Sequence, residues 1–252
     1  LTEIDRYMEI KTQNLQKELI KDYQKYQFHA AFNKIHTFCA NDLGSFYLDI
    51  LKDRLYTCKE DSLARRSSQT TLYQILEALV RWVSPILSFT AEETWCLYHK
   101  DIESVHLSEW YQDWVCSSEG IITESDWLEV LKVRSEVNKV IESSRNNGLI
   151  GSALEAEIEL LCSSKLEKIL SKFSNELRFV FITSEAKVLS ENGEGEETEI
   201  EGLRIKISKT QEQKCERCWH SRPEVGSIKD HPTLCNRCLD NIDGEGEDRL
   251  FA

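Results

Sequence analysis

The chain has 252 residues, a formal net charge of −13, 40% hydrophobic and 30% charged residues, enough for one or two domains with real cores plus a small module. Glycine (10) and proline (3) are scarce, which excludes collagen-like and Pro/Gly-rich disordered chains and favours helices. No apolar run approaches the ~20 residues of a membrane span. The polar start LTEIDRYMEIK is no secretory signal, and its lack of an initiator Met reads as a piece of a longer protein. The net charge divides into −4 for residues 1–118, −6 for 119–209 and −3 for 210–252. No segment is a basic arm, so a nucleic-acid partner would have to be held by local patches and shape.

Residues 1–118 read as a helical domain. Leu1, Ile4, Met8, Leu15 and Leu19 recur at helical steps. So do Phe28, Phe32, Ile35 and Cys39, and then Leu72, Ile75, Leu76, Leu79 and Val83. These stripes are expected to form core. Pro85 should end or kink its helix, and Thr90 with Glu93 has capping-box spacing, which predicts a new helix starting at Thr90.

Residues 119–209 read as a small α+β domain. WLEVLKVRSEVNKVIESSRNNG predicts one long amphipathic helix, carrying Trp127, Leu131, Arg134, Val137 and Ile141 and stopped at Asn147-Gly148. AEIELL (156–161) alternates like a half-buried strand, a short helix is expected over about 164–173, and FVFITSEAKVL reads as a β-rich run. ENGEGEETEIEG is an acidic loop, and LRIKISK alternates with period two, Leu203, Ile205 and Ile207 on one side and Arg204 and Lys206 on the other.

Residues 210–252 have few large aliphatics, so a core of their own is not expected to hold them. They hold Cys215, Cys218, Cys235 and Cys238, two Cys-x2-Cys knuckles separated by sixteen residues. Each knuckle can aim two thiolates at one tetrahedral ion, and the spacer matches structural zinc sites. With four sulfur ligands the ion has no open position and is structural. A redox dithiol or an iron–sulfur centre is the alternative. His220 and His231 are spare ligands in principle and read as surface histidines. The other five cysteines read as reduced thiols in a reducing, cytoplasmic setting. There is no phosphate-binding glycine loop, dinucleotide fingerprint or zinc-protease motif, so no catalytic residue is assigned.

The stretches FYLDILKDRLYT (46–57) and LARRSSQTTLYQILEALVRWVSPILSFTAEETW (63–95) resemble the helical anticodon-binding domain of the class I aminoacyl-tRNA synthetases for isoleucine, valine, leucine and methionine. LKVRSEVNKVIESSRNNGLIGSALEA (131–156) resembles the segment that follows it in the isoleucine-specific family. The end, CERCWHSRPEVGS…LCNRC, resembles the C-terminal zinc module of the bacterial isoleucyl enzymes. The resemblance spans nearly the whole chain. It implies a mainly α fold, a helical-bundle anticodon-binding domain followed by a small α+β junction domain and a four-cysteine zinc module. It also implies a cytoplasmic monomer that binds the anticodon arm of isoleucine tRNA and joins the catalytic domain of the same ligase. The HIGH-type and KMSKS-type motifs are missing from these residues, as is the editing domain, so ATP and Mg2+ would belong elsewhere in the enzyme. A zinc-ribbon nucleic-acid adaptor, or a sister synthetase for valine or methionine, stays open. Candidate tRNA contacts are Lys52, Arg54, Arg65, Arg66 and Arg81 on the helices and Arg217, Trp219, Arg222 and Arg237 in or beside the knuckles.

Overall fold

The computed structural model describes residues 1–100, 104–116, 118 and 120–252. The chain forms two compact units. One comprises Leu1, Glu3–Asp49 and Arg66–Gly120, the other Thr2, Ile50–Arg65 and Ile121–Ala252. The expected junction at 118/119 falls beside residue 119, which lies outside the described residues.

The first unit is helical. It holds α1 (Glu3–Gln24), α2 (Phe28–Thr37), a π-helix (Phe38–Tyr47), most of α4 (Leu63–Val83) and α5 (Ser88–Tyr98). Ile4, Met8 and Leu19 of α1 are fully buried, as are Trp82 and Trp95. Beside the apolar stripe of α1 runs a polar one, Asp5, Glu9, Thr12 and Gln16, equally buried. Each is satisfied. Asp5 accepts from the Tyr47 hydroxyl at 2.6 Å, Glu9 accepts from the Cys116 amide at 2.8 Å, and the Gln16 side chain bridges Trp82 Nε1 and the Tyr111 carbonyl. Buried polar groups held this way fix one packing arrangement and destabilise every other.

Two expectations need correction here. α5 begins at Ser88 rather than Thr90, because the turn after Pro85, closed by Ile86 and Leu87 amides on the Val83 carbonyl, feeds directly into it. The second and third stripes are not wholly core. Phe28, Phe32 and Leu76 are exposed. The α4 face that is buried is Thr71, Gln74, Ile75, Ala78 and Trp82, about one residue out of phase with the aliphatic stripe. Leu76, Leu79 and Val83 instead line an apolar groove of about 360 Å³ with Phe32, Ile86 and Leu87.

The second unit joins the C-terminal part of α3 (Leu48–Thr57) to an α+β layer. α6 (Glu124–Asn146) starts at a reciprocal capping box. Thr123 Oγ1 accepts from the Asp126 amide at 3.2 Å, and Asp126 Oδ2 accepts from the Thr123 amide at 3.0 Å. It ends before Gly148, whose φ of +73° only a residue without Cβ adopts at little cost. Four strands, β1 (Ala156–Cys162), β2 (Glu185–Ser190), β3 (Glu196–Glu197) and β4 (Leu203–Lys209), are ordered β2-β1-β4-β3. β1 runs parallel to β2 and antiparallel to β4, pairing Ile158 with Ile207 and Leu160 with Ile205. The parallel pair needs a crossover, supplied by α7 (Ser164–Leu170), a 3-10 turn (Ser171–Glu176) and α8 (Leu177–Phe181).

α8 overturns part of the expected β-rich run. Phe179, Val180 and Phe181 are helical, all three side chains are buried, and Ile182 at φ +56° ends the turn before β2. A short, continuous apolar run cannot be told from a strand by periodicity. The remaining residues form a bridge between Lys214 and Ser221 and the helix α9 (Asn236–Asp243).

Candidate metal centre and nucleic-acid interface

The first knuckle is a tight turn. The Trp219 amide donates to the Cys215 carbonyl and the Cys215 amide to the His220 carbonyl, both at 2.9 Å. Closing it puts Trp219 at φ +65°, a left-handed conformation that a bulky side chain rarely accepts. The second knuckle sits on the first turn of α9, with Cys235 as its N-cap.

The four cysteines are buried, and their sulfurs lie within 4.8 Å of one another. Cys215–Cys238 and Cys218–Cys235 are each 3.7 Å apart. A tetrahedral ion with Zn–S bonds of ~2.3 Å requires edges of ~3.8 Å, so the sulfur cage fits zinc. The thiols share protons unequally. Cys235 is pulled down to about 4, first by its hydrogen bond with Cys218 and then by Cys238, while hydrogen bonds with Cys218 and then Cys235 push Cys238 up. Around the sulfurs the module's core adds, among the described residues, Val225 and Leu234, so a metal there takes the place of an apolar core.

Within the second unit this module is tied to the last turn of α3. Arg217 Nη1 donates to the Thr57 carbonyl at 2.6 Å. Arg237 grips Asp53 with two bonds of 2.7 Å, and Arg249 donates to the same carboxylate. Lys59 reaches the Gly244 carbonyl at 3.0 Å. Burial alone would raise the Asp53 pKa, but Arg237 first and then Arg249 hold its carboxyl far below the usual range. Asp53 had no signal of this role in the sequence, because its partners lie more than 180 residues away.

These contacts sort the candidate cations. Arg54 is fully buried, donating to Thr2 Oγ1 and the Ala64 carbonyl, so it is an internal tie and not an RNA contact. Arg81 pairs with Glu77 at 2.6 Å, donates to the Glu109 carbonyl and lies 4.7 Å from the Trp95 ring. Arg217 and Arg237 are occupied by α3. Arg65 is half-buried on the Cys58 carbonyl, and Arg222 engages Glu185 and Glu224. Lys52 is exposed, and so is Arg66, which donates to Gln69. His220 is a further correction. It is buried edge-on against Phe179, with Nδ1 at 3.2 Å from the Cys218 carbonyl, whereas His231 is exposed as expected.

Trp219 stands apart. Its side chain is 59% exposed although its backbone is pinned between two knuckle hydrogen bonds. The Lys214 ammonium lies 5.3 Å from its ring centroid. Lys214 went unread in the sequence, although it directly precedes Cys215. Tyr56, 77% exposed one residue before Thr57, went unread too.

Comparison with known proteins agrees with this geometry. Residues 5–160 match the family described as the anticodon-binding domain of tRNA ligase, and residues 212–241 match the zinc finger found in FPG and IleRS. The chain is 46% identical to an isoleucine–tRNA ligase of Acinetobacter baylyi, over 100% of the chain and 27% of that protein. It is 47% identical to one from Shewanella sp. (strain ANA-3) and 48% identical to one from Shewanella baltica (strain OS155), each over 99% of the chain. It thus spans about a quarter of the length of these relatives. With a family match over more than half its length and a four-sulfur cage of zinc dimensions, the chain belongs to the anticodon-binding-domain family of the tRNA ligases.

Proposed function

We propose that this chain is the tRNA-recognising part of an isoleucine–tRNA ligase and binds the anticodon arm of isoleucine tRNA as a monomer. Cys215, Cys218, Cys235 and Cys238 hold one structural zinc, whose contribution is to fix the knuckles and not to react. Activation of isoleucine with ATP and Mg2+ lies outside these residues. The observation that carries the reading is Trp219, an indole exposed on a metal-braced loop. Its backbone is already ordered, so little further entropy is lost when a splayed base stacks on it. Lys214 beside the ring supplies a cation where the base's phosphate would lie. Lys52 and Arg66, exposed on the helices, are the first candidate backbone contacts, followed by Arg65 and Arg222, which also make contacts within the chain. No helix of the described residues is long and apolar enough to cross a membrane.

The test is Trp219→Ala. Stacking on an aromatic contributes roughly 1–3 kcal/mol per base, so the variant should bind isoleucine tRNA about ten- to a hundredfold more weakly. It should also lose discrimination against a base-substituted anticodon loop, with zinc content and far-UV circular dichroism unchanged. Normal binding by a zinc-replete variant would move the readout away from the knuckle.

A further inference from the structure

The aromatic ring of Phe179 gathers three guanidiniums. Arg249 lies 3.5 Å from its centroid, Arg178 4.7 Å and Arg237 5.1 Å. Arg237 and Arg249 share Asp53 and Glu247. Arg222 engages Glu185 and Glu224. Arg178 is the exception. Among the described residues its side chain makes no hydrogen bond and no ion pair, and its Nε is buried without a partner while its Nη atoms are not. Burial first, and then the charges of Arg222 and Arg237, lower its proton affinity, against a smaller opposing pull from Glu185 and Glu247.

A guanidinium half-withdrawn from water among like charges is destabilising unless something negative meets it. Each neighbouring arginine holds a carboxylate within ion-pair distance, whereas Glu185 and Glu247 act on Arg178 only from farther away. What remains on this half-buried side chain is a planar two-donor fork with no partner among the described residues, a geometry that matches the oxygens of a phosphate. The Phe179 ring that Arg178 covers packs edge-on against His220, the residue after Trp219, with ring centroids 5.6 Å apart, which sets the fork beside the first knuckle.

We infer that Arg178 is a phosphodiester-binding residue for RNA, holding the backbone of the strand whose base meets Trp219. The inference rests on the proposed tRNA reading. It adds a residue that no motif marks and that lies 37 positions before the first zinc-binding cysteine.

The experiment uses the full 252-residue chain loaded with zinc, an isoleucine tRNA transcript, and the variants Arg178→Gln and Arg178→Lys. Affinity is measured across a salt series, and thermal unfolding is recorded in parallel with and without inorganic phosphate at fixed ionic strength. If the assignment holds, Arg178→Gln binds about tenfold more weakly near 0.1 M salt, and the slope of log K against log salt falls by about 0.7–0.9, the loss of one phosphate contact. Arg178→Lys keeps most of that slope. Melting of the Gln variant is unchanged or higher, because an uncompensated charge has been removed. Unchanged affinity and slope in the Gln variant, with wild type binding normally, would overturn the inference and leave the tRNA reading intact. So would weakened binding accompanied by a lower melting point and an unchanged slope, the signature of a structural residue. If wild type binds no tRNA, the reading and the RNA assignment fall together. Phosphate-dependent protection that vanishes in the Gln variant would then identify an adventitious ion site only.

Discussion

Asp53→Asn removes one charge from beneath two arginines and leaves the side-chain shape almost unchanged. The Asp53, Arg237 and Arg249 side chains are 15%, 11% and 1% exposed. Breaking a buried ion pair from one side typically costs about 3–5 kcal/mol, because the remaining charge is stranded. Here Glu247 stays within 3.4 Å of Arg237 and 4.0 Å of Arg249 and takes up part of the imbalance, which puts the expected loss at the low end, about 3 kcal/mol. With a urea dependence of ~2 kcal/mol per molar, the unfolding midpoint of the second unit should drop by about 1.5 M. Hydrogen exchange of peptides from residues 121–252, with zinc saturating, follows that unit alone. A drop below about 0.4 M would refute the reasoning, and would mean that water or Glu247 already carries the arginines.

Cys215→Ser should abolish stoichiometric zinc binding and unfold residues 210–252 while α1 and α4 keep their helical signal, measured by elemental analysis and circular dichroism; retained zinc would contradict the ligand set. Asp126→Ala should destabilise the second unit by about 1–2 kcal/mol at pH 7 through loss of the capping box and the Lys172 pair at 2.7 Å. Burial opposes ionisation of Asp126, but Lys172 and Thr123 outweigh it and hold the carboxyl below its usual value. Its contribution is therefore complete above the unfolded carboxylate pKa near 4 and is lost as pH falls through the lower folded value. The gap between wild type and Asp126→Ala in urea should narrow from pH 7 to pH 3, and a constant gap would assign the effect to packing.

Where one short stretch of chain decides the outcome, the sequence was readable. The paired Cys-x2-Cys knuckles needed only their own spacing, and LRIKISK declared its strand because its inward residues Leu203 and Ile205 are buried and its outward Lys206 is exposed. Thr123 and Asp126 were overlooked as a cap although they sit three apart, the right spacing with Asp in place of Glu. Other features depended on partners far along the chain. Phe179–Phe181 have strand-like composition, yet their helical turn follows from burial against elements that the local pattern does not show. Arg54 and Arg237 look like surface cations until Thr2, Ala64 and Asp53 are found to engage them. The π-helix defeats a 3.6-residue reading outright. Its buried residues Phe38, Leu43, Phe46 and Tyr47 begin with a step of five, the period of its own hydrogen-bond ladder.

The bond from Arg217 to the Thr57 carbonyl sets an order in time. The last carbonyls of a helix have no partner within it, and end turns fray fastest. In α3 one of these carbonyls is held by a residue lying between two cysteines of the metal cage. When a chelator strips the ion, the knuckle that positions Arg217 opens and the end of α3 loses its stopper. The amides around Thr57 should then begin to exchange at the pace of metal release rather than at that of global unfolding. The lifetime of a helix end more than 150 residues upstream is thus clocked by the residence time of one ion.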